Sequence, residues 1–462
     1  MHLMKKIALG LVYLAFLALA RGATAPVPVP GPVPNPSAAP NAPGSPAVPE
    51  LVQPGSAAEA ESLWKRDTLF GDLGGVRRTL DDHGITITPV YTGEVMGNVS
   101  GGAGGYHGVG HGAIYEHSLN VPLDVDFSRL VRGWEGATFH VNAFWIAGPG
   151  LSPSYVGNVE NTSNIQAYNT LRLQELWYQQ RFLHDRISLK IGQIAADSEF
   201  FTTASGSLYV NGTFGTFALV GANLPDNPTY PMAVPAVRLR VQPVDQVFVQ
   251  VGVFDGDAGS QAANNHGTAF PLDGGDGVLV FSEAGYLLNQ AAGDKGLRGT
   301  YKLGSFVHTR NFASWSSRAA GTPSGDGSDY GIYGVVDQQL YAQDGRSISL
   351  FTRAGYAPAA VNAVEWYVDG GLDFTGFVPG RPHDVAGIAV ARSRFSGDYS
   401  DAQGALNGTN PYTAETVIEA TYKVQLTPWW DVQPDFQYIV TPSGVEGSRN
   451  AAVLGLRTAV TF

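Results

Sequence analysis

Charged and aromatic residues alternate within one short segment, residues 170–182, in a pattern suited to binding a polar ligand. Arg172, Glu175, Trp177 and Arg181 lie there among apolar residues. A guanidinium group carries five N–H donors in a planar fork that can bridge two neighbouring hydroxyl groups. An indole ring can stack on the apolar face of a cyclic ligand. These residue types predict reversible binding rather than bond breaking.

The apolar face of this segment changes side between Gln174 and Glu175. Leu171 and Leu173 share one parity of the alternation, whereas Leu176 and the apolar residues after it share the other. We predict a β-bulge at this point, because one extra residue restores the alternation. With the bulge, the polar side chains and Trp177 all lie on one face.

A second set of candidates lies in the long segment 194–235 and in the strand that follows it. Asp197 and Glu199 belong to this segment, which contains no Lys or Arg, so any part of it inside a channel would present a negative field. We therefore expect cations on the opposite wall. Arg238 and Arg240 alternate with apolar residues, which aims both side chains to one face.

Composition and motifs exclude several kinds of site. The 462 residues include no Cys, which excludes disulfides, thiolate metal sites and a Cys nucleophile. The net charge of −12 has the wrong sign for a protein that binds nucleic acid. There is no G-x-S-x-G, HExxH or P-loop motif, and His107, His111 and His117 lie in or beside a Gly-rich stretch that is typical of a loop. We predict no catalytic residue, no metal and no cofactor.

From Gly84 onward the apolar residues recur with period two, which predicts β-strands. Within 416–426, for example, Ile418 and Tyr422 lie on one face, and Glu419 and Lys423 lie on the other. The same reasoning predicts sixteen strands, near 84–98, 115–127, 134–147, 170–182, 186–193, 236–242, 247–255, 278–288, 296–309, 330–341, 347–357, 365–377, 384–395, 414–426, 431–441 and 451–462.

Long and short connections alternate between these strands, which is typical of a transmembrane β-barrel. Trp366, Trp429, Trp430 and Tyr438 lie at strand ends, where interfacial aromatic girdles are expected. A soluble sandwich or propeller is the alternative, but the polar second face of the strands argues against it. The predicted fold class is all-β, a 16-stranded antiparallel transmembrane barrel with a short N-terminal helix.

The segments before the barrel have other signatures. Residues 1–25 combine Lys5 and Lys6, an apolar run and an Ala-Thr-Ala site, which predicts a secretory signal peptide. Residues 26–62 are rich in Pro and Ala and predict a disordered linker. Residues 63–83 predict a helical segment near the periplasmic mouth, and residues 84–462 the barrel.

One motif is fairly specific. Residues 69–85, LFGDLGGVRRTLDDHGI, resemble the entry motif of the carbohydrate-selective porins of the OprB type. Segments 91–102, 170–182, 191–201, 210–215 and 253–257 are similar to family segments in the same order. The resemblance covers roughly residues 63–462 and implies a 16-stranded barrel in the bacterial outer membrane with a water-filled channel for sugars.

With that resemblance, Arg172, Glu175, Trp177, Arg181, Asp197, Glu199, Arg238 and Arg240 become candidate channel-lining residues for sugar contact. Segment 194–235 becomes the candidate constriction loop, and Phe200 and Phe201 join Trp177 as possible stacking rings. The expected partners are small sugars and outer-membrane lipid, with a homotrimer as a possibility. A general or anion-preferring diffusion porin, or an outer-membrane enzyme on the same barrel, stays open as an alternative.

Overall fold

A computed structural model describes residues 62–102, 110–224, 226–260, 263–270, 272–291 and 293–462. The predicted signal peptide and all but the last residue of the predicted linker lie outside these residues, as does His107. No helix in the described part of the chain is long and apolar enough to cross a membrane.

Sixteen long strands pair antiparallel with their neighbours in chain order, and the last pairs with the first, so the sheet closes on itself. They are β2 (Val90–Ser100), β3 (Gly112–Asp126), β4 (Ala137–Ala147), β5 (Thr170–Phe182), β6 (Ile187–Ile194), β7 (Val234–Val244), β8 (Val247–Asp255), β9 (Val278–Leu288), β10 (Gly299–Ala313), β11 (Gly325–Gln343), β12 (Arg346–Tyr356), β13 (Val364–Thr375), β14 (Val385–Phe395), β15 (Ala414–Thr427), β16 (Trp430–Val440) and β17 (Ala451–Thr461).

The predicted first strand, 84–98, is interrupted in the structure. A three-residue strand, β1 (Ile85–Ile87), and the start of β2 both pair with β3, and the two are separated at Pro89. Proline has no N–H group to donate, so the ladder breaks there. The other predicted strands are observed, and those at 170–182, 247–255 and 278–288 have the predicted bounds.

The predicted bulge is present in β5. Asn142 of β4 pairs with Glu175 and the next residue, Ala143, pairs with Leu173, so Gln174 is the extra residue. Gln174 and Glu175 are both buried, whereas Leu171 is exposed on the outer face of the barrel. The bulge therefore keeps Glu175 on the lumenal face and away from lipid.

Apolar and polar side chains separate across the barrel wall as the period-two pattern predicts. On β15, Ile418 is exposed on the outside, whereas Glu419 is fully buried inside. Large exposed apolar residues such as Leu303 and Leu456 belong to the same outer surface. A wall that is apolar outside and polar inside is the arrangement a membrane-spanning barrel requires.

Short helices lie outside the strands. They are α1 (Val76–Asp82), α2 (Phe127–Leu130), α3 (Ala218–Gly221), α4 (Trp315–Ala319) and α5 (Gly397–Asn407), together with a single π turn (Ser152–Val156) and the 3-10 turns Leu73–Gly75, Ala196–Ser198, Ser205–Leu208, Gly212–Phe214, Asn265–Gly267 and Pro442–Gly444. Asp72 Oδ1 accepts the N–H of Arg78 at 2.9 Å, and Arg77 Nη2 donates to the Phe462 carbonyl at 2.9 Å. Helix α1 is thus tied to the residue that follows β17.

Candidate functional site

The connection between β6 and β7, loop 195–233, crosses the inside of the barrel. Its backbone N–H groups donate to carboxylates on four separate strands. The bonds run from Ala195 to Glu175 Oε1 (2.9 Å), from Phe201 to Glu283 Oε2 (3.0 Å), from Ala204 to Asp337 Oδ2 (3.2 Å) and from Asn211 to Glu419 Oε2 (2.9 Å). Because these acceptors stand on β5, β9, β11 and β15, the loop is held from widely separated sides of the lumen.

Arg353 of β12 is the most fully bonded anchor of this loop. Its Nη2 donates to the Thr213 carbonyl at 2.7 Å and its Nη1 to the Gly215 carbonyl at 2.8 Å. Its Nε and Nη2 both donate to Asp369 Oδ2, at 2.9 and 2.6 Å. The guanidinium therefore joins a wall carboxylate to two loop carbonyls with charge-assisted hydrogen bonds.

Aromatic side chains of the loop pack against aromatic side chains of the wall. Phe200 and Phe201 are fully buried, with ring centroids 5.3 and 5.8 Å from that of Phe281. Phe217 packs against Tyr333 and Tyr367 at 5.4 and 5.7 Å. The expectation that Phe200 or Phe201 stacks on a ligand is therefore wrong, because hydrophobic burial on the wall leaves neither ring accessible.

A second connection, loop 148–169 between β4 and β5, also enters the lumen. The N–H groups of Val159 and Glu160 donate to the Glu415 carboxylate, and Gln437 Nε2 donates to the Thr162 carbonyl at 2.8 Å. The two loops join each other through the N–H of Gly212 and the carbonyl of Asn161, at 2.8 Å. Nothing in the sequence distinguishes this loop from a surface connection, because surface connections have the same Gly, Pro and polar composition.

The two loops enclose a cavity of about 240 Å³, called here the inter-loop cavity. About half of its lining surface is polar: Asn161, Ser163, Asn164, Gln166, Thr213, Thr216, Asn227, Thr229 and Tyr230 contribute amide and hydroxyl groups, and Asp197 and Glu160 contribute carboxyl groups. The rest is apolar surface, to which Val159, Ala218 and Ala222 contribute. The amide and hydroxyl groups offer both donors and acceptors for hydrogen bonds. The cavity can therefore bind a small ligand rich in hydroxyl groups.

Comparisons with known proteins identify the family. The profile described as "Carbohydrate-selective porin, OprB family" matches residues 110–462. The chain belongs to this family. Porin B of Pseudomonas aeruginosa is 26% identical over 444 residues, which cover 88% of this chain and 94% of that protein. The solved "High pH structure of Pseudomonas putida OprB" is 25% identical, with a TM-score of 0.77 over 87% of this chain and 100% of that chain.

The protein is accordingly a carbohydrate-selective porin of the bacterial outer membrane. The family indicates a channel rather than an enzyme. A "Putative porin QuiX" of Acinetobacter baylyi is a more distant relative, 22% identical over 87% of this chain and 95% of that protein. The 16-stranded fold predicted from the period-two pattern is confirmed.

Glu199, one of the residues predicted to line the channel, forms an ion-pair cluster at the root of loop 195–233, that is, where the loop leaves β6 and returns to β7. It pairs with Lys190 of β6, and Glu199 Oε2 accepts the Arg238 Nε–H at 2.8 Å. Burial opposes the charged form of Glu199, but Arg238 and Lys190 outweigh burial and lower its pKa to about 2. Lys190 was not among the predicted residues, although its alternation with Leu189 and Ile191 signalled that it faces inward.

The carboxyl group of Asp197 is bound by hydrogen-bond donors of its own loop. Its Oδ2 accepts the Tyr230 N–H and the Thr216 hydroxyl, both at 2.9 Å, so it links two parts of the same loop. Burial raises the pKa of Asp197 to about 6, against the lowering effect of these two donors.

The expectation of cations opposite the acidic loop holds in part. Lys302 of β10 and Arg353 of β12 donate to carbonyl groups of the loop, but the carboxylates of Glu283, Asp337 and Glu419 stand on the same wall and accept its N–H groups. The cations that pair with Glu199 stand instead on the strands that flank the loop. The physical reason is that the loop offers backbone N–H groups there, which need acceptors.

Glu175 and Trp177 of β5 contact protein rather than an open passage. Glu175 accepts the Ala195 N–H and, at 3.1 Å, the Ser198 hydroxyl. The Trp177 ring is stacked on His140 from β4 at 4.7 Å, and Lys190 Nζ from β6 lies 3.7 Å from its centroid. His140 and Lys190, which stand on the strands on either side of β5, thus occupy ring surface of Trp177 that a sugar would need for stacking.

Ser188 of β6 pairs with Arg181 of β5 on one side and with Arg240 of β7 on the other. The two arginines therefore lie at the same height in the barrel, towards its periplasmic end. Arg181 Nε is 3.5 Å from Asp185 Oδ1, and the Arg240 guanidinium lies 3.8 Å from the Phe248 ring centroid. Both are partly exposed. Glu175, Glu199 and Arg238 are thus gathered at the root of the loop, whereas Arg181 and Arg240 stand below it.

Arg172 stands apart, close to the extracellular end of β5. Its Nη1 donates to the Tyr168 hydroxyl and contacts Met232 Sδ at 2.9 Å. Only 2% of the residue is exposed, and Nε and Nη2 have no hydrogen-bond partner among the described residues.

Proposed function

We propose that loops 148–169 and 195–233 form the narrow part of the channel and that sugars pass it by exchanging hydrogen bonds with the inter-loop cavity. The observation that carries this proposal is the cavity itself, which is lined by many uncharged polar groups and enclosed by two loops anchored across the lumen. Neutral ligands with many hydroxyl groups suit such a lining. Transport then runs down a concentration gradient with no covalent step and no cofactor.

The predicted residues divide into two roles in this proposal. Glu175, Glu199 and Arg238 fix the root of loop 195–233, and Asp197 holds its two halves together beside the cavity. Arg181 and Arg240 line the passage on the periplasmic side. Binding must be weak enough for the sugar to leave, so we expect half-saturation in the millimolar range, on the order of the shallow affinities that conduction requires.

Gly221 offers a direct test, because it lines the cavity and has room for a side chain. An added Cβ would meet only Thr216 atoms at 3.6 and 3.9 Å, which is ordinary contact. We expect Gly221→Leu to narrow the cavity and to slow glucose-driven swelling of porin liposomes about fivefold or more. Gly404→Leu is the matched control, since Gly404 lies in α5 and its added Cβ would meet only the Thr409 carbonyl at 3.8 Å.

Equal swelling rates for Gly221→Leu, Gly404→Leu and the unaltered porin would refute the cavity as the narrow part of the path. A general diffusion porin is distinguished by solute choice: it would pass a neutral sugar and a neutral amino acid of similar size at similar rates. For the proposed channel we expect the sugar to be faster.

A further inference from the structure

Arg172 differs from the other deeply buried lumenal cations of the described residues in lacking a carboxylate. Lys190 and Arg238 pair with Glu199, Arg353 with Asp369, and Arg457 with Glu94. The contacts of the Arg172 guanidinium within the described residues are the Tyr168 hydroxyl and Met232 Sδ. Burying a charge without a counter-charge is unfavourable, so the binding of an anion beside Arg172 would offset this cost.

The free atoms of Arg172 form the edge of the guanidinium group that binds carboxylates elsewhere in the lumen. Arg353 uses Nε and Nη2 for Asp369, and Arg457 uses Nε for Glu94. In Arg172, Nε and Nη2 are the two nitrogens that find no hydrogen-bond partner within the described ranges of the chain. Two N–H groups on one edge of a planar fork match the two oxygens of one carboxylate.

Tyr168 lies beside this site. Its ring is 38% exposed, and its hydroxyl accepts from Arg172 Nη1 and donates to Met232 Sδ at 2.7 Å. Met232 itself is almost fully buried. One partly exposed phenol therefore lies against the Nη1 end of the guanidinium and leaves Nε and Nη2 without a contribution from its hydroxyl.

The position of the site connects it to the sugar path. Arg172 lies at the extracellular end of β5 and contacts Met232 Sδ at 2.9 Å, and the N–H of Met232 donates at 2.7 Å to the carbonyl of Thr229, which lines the inter-loop cavity. A ligand held at Arg172 is thus beside the cavity on the side from which substrate enters.

We propose that Arg172 is a capture site for sugars that carry a carboxylate, such as uronates and aldonates. The carboxylate occupies Nε and Nη2, and the hydroxyl groups of the sugar reach the polar lining of the cavity. The proposal rests on the proposed function, since it uses the same path. It adds an acidic class of substrate to the neutral sugars.

The test is block of single-channel current in planar bilayers by glucuronate, with glucose and acetate measured in parallel. We expect glucuronate to block the unaltered porin at lower concentration than either glucose or acetate. Arg172→Met should raise the half-blocking concentration of glucuronate about tenfold, as loss of a charge-assisted pair of hydrogen bonds predicts, and leave that of glucose nearly unchanged. Tyr168→Phe should leave that of glucuronate nearly unchanged, because the Tyr168 hydroxyl is bonded to Nη1 and not to the Nε and Nη2 edge.

Arg186→Met is the matched control, since it removes a cation whose partner, Asp245 at 2.7 Å, lies in an exposed periplasmic turn. We expect it to leave glucuronate block unchanged. Unchanged block in Arg172→Met, or acetate as potent as glucuronate, would overturn the proposal. Failure of glucose to act on any variant, with glucuronate block intact and dependent on Arg172, would instead refute the neutral-sugar function.

Discussion

Arg353 and Arg172 are buried to a similar extent inside the same barrel, with 1% and 2% of their surfaces exposed, but their surroundings differ. Arg353 has a carboxylate on one edge and loop carbonyls on the other. Arg172 contacts one phenol and one thioether, and its Nε and Nη2 have no hydrogen-bond partner in the part of the chain that the structure describes. The first guanidinium holds a loop in place, and the second is available to a ligand. Burial alone therefore does not distinguish an arginine that holds the structure together from one that can bind a ligand. The two are distinguished by whether Nε and Nη2 already bind a carboxylate of the protein.

The largest effect is expected from removing Arg353. Arg353→Met leaves Asp369 buried without its partner and frees the carbonyls of Thr213 and Gly215. We expect the free energy of unfolding to fall by about 3–5 kcal/mol, measured by urea titration of the barrel in detergent. Single-channel current should also become noisier as loop 195–233 loosens. A fall below about 1 kcal/mol, the range of an exposed pair such as Arg186–Asp245, would contradict the anchoring role.

Glu199 tests the anchoring side of the comparison through pH. Its pKa of about 2 lies below the usual value near 4.5, so its ion pairs stabilise the folded state fully above pH 4.5. This stabilisation is lost as pH falls from 4.5 towards 2. Glu199→Gln should lower the free energy of unfolding at pH 7 by about 2–3 kcal/mol and should flatten this part of the pH profile. Identical profiles for the two proteins between pH 5 and pH 3 would refute the assignment.

Asp197 should show the opposite sign. Its pKa of about 6 lies above the usual value near 3.8, so the folded state holds the proton more tightly than the unfolded state. Stability contributed by Asp197 is therefore present at low pH and decreases as pH rises through 6. Asp197→Asn should raise the free energy of unfolding at pH 7.5 by about 1–2 kcal/mol and have little effect at pH 4. Destabilisation at both pH values would show that the carboxylate is needed as a charged acceptor for Tyr230 and Thr216.

The smallest effect on stability is expected at Arg172. Arg172→Met removes a buried charge that has no counter-charge, so unfolding in urea should change by less than about 1 kcal/mol or shift to higher stability. Loss of stability comparable to that of Arg353→Met would show that the two arginines have the same role and would remove the contrast between them.

The wall of the barrel was largely predictable from sequence, because it depends on local alternation. The strand bounds of β5 and the extra residue Gln174 both follow from the parity of neighbouring side chains. Pro89 shows the limit of that reasoning, since the period-two pattern runs through it although its missing N–H breaks the ladder.

The inside of the barrel was less predictable, because it depends on contacts between distant parts of the chain. Nothing near Glu419 in the sequence shows that it accepts N–H groups from Val210 and Asn211. The rings of Phe200 and Trp177 suit sugar stacking as residue types, but the structure gives both to other partners. The sequence was enough to predict on which side of the barrel wall a side chain lies. It was not enough to predict which group that side chain contacts.

The pairing of β17 with β2 has a consequence for the order in which the porin is made. Arg457 of the last strand and Glu94 of the first long strand form a buried ion pair across this seam, and the Arg77 side chain binds the carbonyl of Phe462. These contacts join residues separated by most of the sequence, so closure must wait until the last strand has been synthesised and exported. Arg457 also donates to Asn164 Oδ1 of loop 148–169 at 2.8 Å. The contacts that hold this loop are therefore complete only once the barrel has closed.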